Sequence, residues 1–417
     1  MPIHVVNEAK RCLNCKKPQC QIGCPIATPI PHMIELFLNG EMMESGKEIF
    51  KNNPLSLVCS LICDHEKQCE GHCILNKKSS PVHISSIENY ISDAYFDRME
   101  IQAPKKNGIR AAIIGSGPAG ITIAILLAER GYDVTIFEGK DKIGGVLRYG
   151  IPDFRLPKTI LERYRNKLKE MGIKIRPNTV IGLTITVDDL INDGYKSIFI
   201  GTGVWKPYNL RIKGETLGHV HFAINYLTNP DVYDLGQNVI IIGAGNSAMD
   251  VARTVIRKGT ANVTVFSRTE TASASPREVE YAQIDGVKFE YEIAPVEITG
   301  EGVIFRKVKV DENERVIWED EETFFRAADS VIISVSQGPR NRIISTTSGI
   351  EVNEKGLVVT DRKGETTRAG IFASGDVVQG AKTVVEAVKY SKMVADEMDK
   401  YMKMVMEEEG QSSAAKD

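Results

Sequence analysis

All eight cysteines of this chain, Cys12, Cys15, Cys20, Cys24, Cys59, Cys63, Cys69 and Cys73, lie within the first 73 residues. The other 344 of the 417 residues contain none, so no redox disulfide can operate there. In a short secreted chain eight cysteines would suggest disulfides. Here they head a large chain whose start, Met1-Pro2-Ile3-His4, shows no secretory pattern. The expected compartment is reducing and cytoplasmic, and the expected chemistry is metal or cluster ligation. A length of 417 residues predicts two to three domains at about 150 residues each. Apolar residues make up 42% and charged residues 26%, which excludes a mainly disordered or fibrous chain. A net charge of −3 gives no basic field for nucleic acid. No run of 18 apolar residues is present to span a membrane.

The cysteine head reads as short helices, among them Pro31 to Asn39 and Ile84 to Arg98. A polar stretch, Ala103 to Gly108, marks a boundary. Beyond it the pattern becomes strand, glycine turn, helix, strand. Arg110 to Ile114 runs into Gly115-Ser-Gly117-Pro118-Ala119-Gly120, an apolar helix follows to Glu129, and a strand from Tyr132 to Phe137 ends at Glu138. Gly115 permits the tight turn, Gly117 lets the backbone approach a pyrophosphate, and Gly120 allows helix and strand to pack closely. Glu138 is placed to accept a ribose hydroxyl. The layout recurs at Asn238 to Ile242, Gly243-Ala-Gly245-Asn246-Ser247-Ala248-Met-Asp250, a helix to about Arg257 and a strand over Val263 to Phe266. Two such units predict two dinucleotide-binding folds.

Around the first unit lie Gly144-Gly145, Arg148, Thr202-Gly203 and the late pair Gly375-Asp376. In this order they resemble the flavoprotein reductases of the glutathione and thioredoxin reductase type. The resemblance implies that the first fold binds FAD and that a nucleotide domain is inserted between its two halves. In the second unit no acid closes the strand after the glycines. Ser267 and Arg268 stand there instead, with Arg277 nearby, which favours NADPH over NADH because a guanidinium attracts a 2′-phosphate.

The cysteines fall into two groups of four, and Pro25 follows the last of the first group. Such spacings suit two [4Fe–4S] clusters, with two structural zincs as the competing reading. Flavin in the same chain favours iron–sulfur, because a hydride pair needs a one-electron exit. Arg11-Cys-Leu-Asn-Cys15, Asn53 to Cys63, Tyr149 to Pro157, Gly243 to Asp250 and Lys382-Thr383-Val-Val-Glu386 together resemble the small subunit of glutamate synthase, the N-terminal half of dihydropyrimidine dehydrogenase and the flavin subunits of related bifurcating complexes. The resemblance implies Cys12, Cys15, Cys20 and Cys73 on one cluster, and Cys24, Cys63, Cys69 and Glu88 on the other. Cys59 is then a spectator. Without the resemblance, Glu88 reads as a solvated helix residue. Asp64 departs from the family, where many members carry proline.

The expected fold class is α/β: two Rossmann-like domains of glutathione-reductase type behind an α-helical double-cluster domain. The expected boundaries are 1–105 for the iron–sulfur domain, 106–235 and 336–405 for the two parts of the FAD domain, 236–335 for the NAD(P)H domain and 406–417 for a disordered tail. Expected strands also include Val287 to Ile293, Gly302 to Val310, Arg315 to Trp318 and Ala328 to Val335, and the last helix is expected over Thr383 to Val405. The seven histidines show no metal spacing. No catalytic acid–base group is expected, since hydride transfer needs orientation more than proton movement.

The resemblance implies an electron-input subunit that oxidises NADPH, or NADH, through FAD and passes single electrons through the clusters to a larger redox chain carrying the substrate site. That chain would be a glutamate synthase large chain or an FMN-type dehydrogenase chain. The alternatives are the NAD-dependent dihydropyrimidine dehydrogenase flavin subunit, the flavin subunit of a bifurcating complex, a stand-alone quinone or ferredoxin reductase, and a non-catalytic redox-sensing scaffold.

Overall fold

A computed structural model describes residues 3–100 and 104–414. Met1-Pro2, Ala103 at the head of the expected linker and the last three residues of the expected tail lie outside the described residues. The chain divides into two compact units. The first runs to Leu147 and adds Phe154–Val204 and everything from Pro339 on; the second comprises Arg148–Asp153 and Trp205–Gly338.

The first unit begins with the helical head. Helix Ile30–Leu38 buries Ile30, Met33, Ile34 and Phe37, the i, i+3, i+4, i+7 spacing of one face. Helix Ile84–Arg98 buries Ile84, Ile87, Glu88 and Ile91 in the same rhythm. These faces close a core with Val5, Ala9 and Ile49. The head is seated on the rest of the unit by helix Lys158–Glu170. There Tyr164 donates to the carbonyl of Pro54 at 2.9 Å and packs on Phe96 with ring centroids 4.4 Å apart. Arg163 pairs with Asp93 at 2.6 Å and Asp97 at 2.8 Å.

Behind the head stands a five-stranded parallel sheet in the order Ile371–Ala373, Tyr195–Ile200, Arg110–Ile114, Asp133–Phe137, Lys174–Arg176. Its central strand is almost wholly buried, which explains an apolar run without alternation. The order puts Ile371–Ala373, from the far end of the chain, beside strands from the first half. Helix Pro118–Glu129 covers the sheet and packs against the C-terminal helix. That last helix spans Val384–Ala414, nine residues beyond the expected end at Val405. The acidic segment after Val405 is therefore helical as far as Ala414 rather than a tail without structure. Extending an existing helix needs no new nucleus, Met and Glu favour helix, and Lys196 forms an ion pair with Glu409.

The second unit is built on another five-stranded parallel sheet, in the order Val220–Phe222, Ser330–Ile333, Asn238–Ile242, Asn262–Phe266, Lys288–Glu290. A three-stranded antiparallel sheet, Ile293–Thr299, Gly302–Val310 and Val316–Ala327, is appended. The single strand expected over Val287 to Ile293 is divided between the two sheets. Glu292 has φ +57°, and the chain turns there. The strand expected over Arg315 to Trp318 continues to Ala327. Its charged residues hide the strand from a period-two reading, and it is held by pairing with Gly302–Val310. Among the described residues, no helix is long and apolar enough to cross a membrane.

Candidate functional site

The first glycine turn lies at the carboxyl edge of its sheet, where open α/β sheets bind ligands. Gly115 has φ +97°, and a Cβ there would lie 2.6 Å from the carbonyl oxygen of Gly201. A Cβ on Gly120 would lie 2.0 Å from the carbonyl oxygen of Gly115. One on Gly145 would lie 2.8 Å from Cα of Gly117, and one on Gly375 would lie 3.2 Å from Cβ of Ala119. Three separate segments, Gly115–Gly120, Gly144-Gly145 and Gly201–Gly203, thus meet backbone to backbone, and the Gly375-Asp376 turn packs on the Ala119 side chain. Gly117 differs: nothing lies within 4 Å of where its Cβ would stand. The open face of the cradle is at Gly117, the helix N-cap, with Pro118 at the first helical position. This fits a pyrophosphate approaching the N-terminus of a helix twelve residues long.

Glu138 is 8% exposed. One carboxylate oxygen accepts the N–H of Ser116 at 2.9 Å together with the Ser116 hydroxyl, and the other accepts the N–H of Lys140 at 2.8 Å. A carboxylate has about four acceptor sites. Three are used to fix the side chain across the turn, and a fourth could accept a ribose hydroxyl. Gly144 donates to the Ser116 carbonyl at 3.0 Å, which ties the Gly-Gly pair to the same knot.

On the late side, burial pushes the Asp376 carboxyl up to about 6. It accepts the N–H of Lys382 at 3.2 Å. Thr383 forms a reciprocal cap with Glu386. The Thr383 hydroxyl and N–H donate to the carboxylate at 2.7 and 3.1 Å, and the Glu386 N–H returns at 3.4 Å. Part of the Lys382 to Glu386 motif is therefore helix-start chemistry. Arg148 lies on the short helix Val146–Tyr149 and belongs to the second unit.

In that unit the second glycine turn repeats the pattern. Gly243 has φ +110°, and a Cβ there would lie 2.3 Å from the Ser334 carbonyl oxygen. Gly245 caps helix Asn246–Arg257. Ala248 occupies the third glycine position and is fully buried, so the methyl group is packed without loss of closure. Asn246 accepts the N–H of Ser275 at 2.9 Å, and Ala274 donates to the Ala244 carbonyl at 3.0 Å. Ser247 is exposed beside them on the first turn, whereas Asp250 is 4% exposed within the helix. Arg268 is 52% exposed at the strand end and pairs with Glu314 at 2.9 Å. Glu314 sits in a hairpin 46 residues away, and no local pattern foretold it. Arg277 bonds the Tyr281 hydroxyl at 2.8 Å.

In the head, Cys12, Cys15, Cys20 and Cys73 line one cavity of about 60 Å³ with Leu13, Ile34 and Ile84. Burial pushes the Cys20 thiol up to about 11, and Cys73, Cys12 and Cys15 push it the same way. The other group is more deeply buried. Cys63 is raised first by a hydrogen bond with Cys59, then by burial and by Glu88 and Cys69. Cys69 is raised by burial, Glu88, Glu70 and Cys24. Glu88 is 7% exposed, and burial, then Glu70, pushes it up to about 8. The reading of Glu88 as a solvated residue is thereby corrected: it sits on the inner face of its helix. No three His, Cys, Asp or Glu among the described residues converge as around a single ion.

Residues 78–189 and 109–391 match the family model described as pyridine nucleotide-disulphide oxidoreductase. The chain belongs to that family. Residues 2–100 match the model described as dihydropyrimidine dehydrogenase domain II, 4Fe–4S cluster. The chain is an NAD(P)H-dependent FAD oxidoreductase with a 4Fe–4S head. It is similar to the glutamate synthase [NADPH] small chain of Halomonas elongata, with 35% identity over 93% of this chain and 88% of the relative. It is also similar to the NAD-dependent dihydropyrimidine dehydrogenase subunit PreT of Salmonella typhimurium, with 32% identity over 96% and 95%. Among solved structures, Mycobacterium tuberculosis FprA in complex with NADPH superposes with a TM-score of 0.61 at 18% identity, over 72% of this chain and 86% of that one. The thioredoxin reductase of T. acidophilum gives 0.56 at 21%, over 71% and 98%. At those identities the likeness is one of fold.

Proposed function

We propose that this chain is the electron-input subunit of a two-chain oxidoreductase, namely the NADPH-oxidising small subunit of a glutamate synthase. The observation that carries the reading is the order of parts in one chain: a cysteine head, the first glycine cradle, a second glycine turn ending at Arg268, and the return of the chain to the cradle at Gly375-Asp376. The small-chain relatives support it through likeness along nearly their whole length.

FAD, when bound, takes up the electron pair of the nicotinamide as a hydride, and clusters then carry electrons one at a time. The residues bind and orient. Gly117, Pro118 and Ala119 open the helix end toward the FAD pyrophosphate, and Glu138 holds a ribose. Gly144, Gly145, Thr202, Gly203, Gly375, Asp376 and Thr383 complete that site. Gly243, Gly245, Asn246, Ser247, Ala248 and Asp250 form the nicotinamide dinucleotide site, with Arg268 for the 2′-phosphate. Cys12, Cys15, Cys20 and Cys73 hold one [4Fe–4S] cluster; Cys24, Cys63, Cys69 and Glu88 hold the other.

The Arg268–Glu314 pair bears on the nucleotide. Exposed ion pairs contribute only about 0–1 kcal/mol, so a 2′-phosphate can displace Glu314 at little cost. We expect Arg268→Ala to raise the KM for NADPH by about 10- to 100-fold, the loss of one charge-assisted contact. The KM for NADH should stay within about twofold. Equal effects on both in steady-state assays would contradict the NADPH assignment. The same Glu314 carboxylate favours a second reading, the NAD-dependent dihydropyrimidine dehydrogenase subunit, because an acid near the ribose repels a phosphate.

Anaerobic affinity purification from the source cell separates the two. A large chain with amidotransferase and FMN domains is expected to co-purify. A pyrimidine-type FMN chain in its place would keep the electron-input role and replace the substrate.

A further inference from the structure

Lys392 lies on the C-terminal helix, yet its ammonium reaches the cysteine head. It donates to the carbonyl oxygen of Asn52 at 2.7 Å and to its side-chain Oδ1 at 2.8 Å. That fixes which way the Asn52 amide faces. Its Nδ2 donates to the Ile26 carbonyl at 3.3 Å and to Thr28 Oγ1 at 3.4 Å. Every donor and acceptor of the amide then has a defined role. Thr28 is 3% exposed, and its hydroxyl oxygen already accepts from Asn52. The Cys24 thiol donates to the same oxygen at 3.4 Å, which leaves the hydroxyl's own proton available to that sulfur when the roles reverse. A neutral thiol there could donate to Thr28; a thiolate bound to iron can only accept. One residue before Lys392, the buried Ser391 bonds Ser374 at 2.9 Å, immediately before the Gly375-Asp376 turn. Adjacent residues of one helix thus hold the cradle and the surroundings of Cys24.

The geometry points to Lys392 and Asn52 as positioning residues that aim the Thr28 hydroxyl at the Cys24 sulfur, and thereby raise the reduction potential of the cluster Cys24 holds. This rests on Cys24 being a cluster ligand. Hydrogen bonds to cluster sulfurs stabilise the reduced, more negative state. The sequence alone could not show the link, because its ends are 368 positions apart in the chain (24 to 392).

The test uses purified holoprotein, with iron analysis and an anaerobic redox titration followed by electron paramagnetic resonance. Thr28→Val should retain the full iron content, about eight per chain, and lower one cluster's midpoint potential while leaving the other unchanged. Thr28→Ser, which keeps the hydroxyl, should restore the parent value. Lys392→Met should lower the same potential, with no further shift when added to Thr28→Val. A fully loaded Thr28→Val variant with an unchanged potential would overturn the proposal, and additive shifts would overturn the role of Lys392. Cys24→Ala tests the ligand reading separately. It should lose about half the iron, and full retention would remove the foundation of the proposal.

Discussion

Gly117→Ala is expected to give an apoprotein of unaltered stability that no longer retains FAD, while Gly120→Ala loses stability and FAD together. The two glycines are three residues apart in one turn but face different surroundings. A methyl group on Gly120 would lie 2.0 Å from the Gly115 carbonyl oxygen, so helix and strand must separate. Forced packing of this kind costs about 1–3 kcal/mol and moves the turn itself. At Gly117 the methyl group meets no protein atom within 4 Å, and φ −70°, ψ −174° suits alanine. Apoprotein stability should therefore change by no more than about 0.5 kcal/mol. The methyl group does occupy the open face where the pyrophosphate must come close. Losing one charge-assisted contact there corresponds to roughly 100-fold weaker FAD binding. Thermal melts of apoprotein and flavin titrations of both variants check this. A Gly117→Ala protein that binds FAD normally would move the pyrophosphate elsewhere.

Iron content should separate the eight cysteines into seven ligands and one spectator. Replacing Cys20 by serine is expected to remove one cluster, about four irons per chain, because Cys20 shares its cavity with Cys12, Cys15 and Cys73. Cys59→Ser is expected to keep every iron. Cys59 is 3% exposed in the middle of helix Ser56–Ile62 and hydrogen-bonds Cys63. Glu88 then completes the second set. Glu88→Gln, which retains a ligating oxygen, should keep that cluster, and Glu88→Ala should lose it. A Cys59→Ser protein lacking about four irons would make Cys59 the ligand and Glu88 a buried neighbour.

Much of this molecule was legible in its sequence where the signal is local. Both glycine turns are followed by helices that end at the expected Glu129 and Arg257, although they begin inside the glycine motifs, at Pro118 and Asn246. The strands Arg110–Ile114 and Asn238–Ile242 have the expected bounds. Local reasoning went wrong where distant chain decides. Glu88 reads as solvated until helices from the rest of the head enclose it. The acidic segment after Val405 reads as a tail until it extends an existing helix and pairs with Lys196. The Arg268–Glu314 and Lys392–Asn52 contacts join residues that share no motif. Thr383 shows a further limit: its T-x-x-E pattern serves a helix cap, and a cofactor role there is compatible with the cap but not demanded by it.

The central claim is that NADPH delivers its electrons to a flavin held in the Gly115–Gly120 cradle. The most direct test is anaerobic stopped-flow mixing of the flavin- and iron-loaded protein with one equivalent of NADPH, followed through the flavin absorbance. Rapid bleaching of the flavin band, without any partner chain, is the predicted result. A flavin that stays oxidised while NADPH binds would contradict the account and leave a scaffold that carries its cofactors without using them.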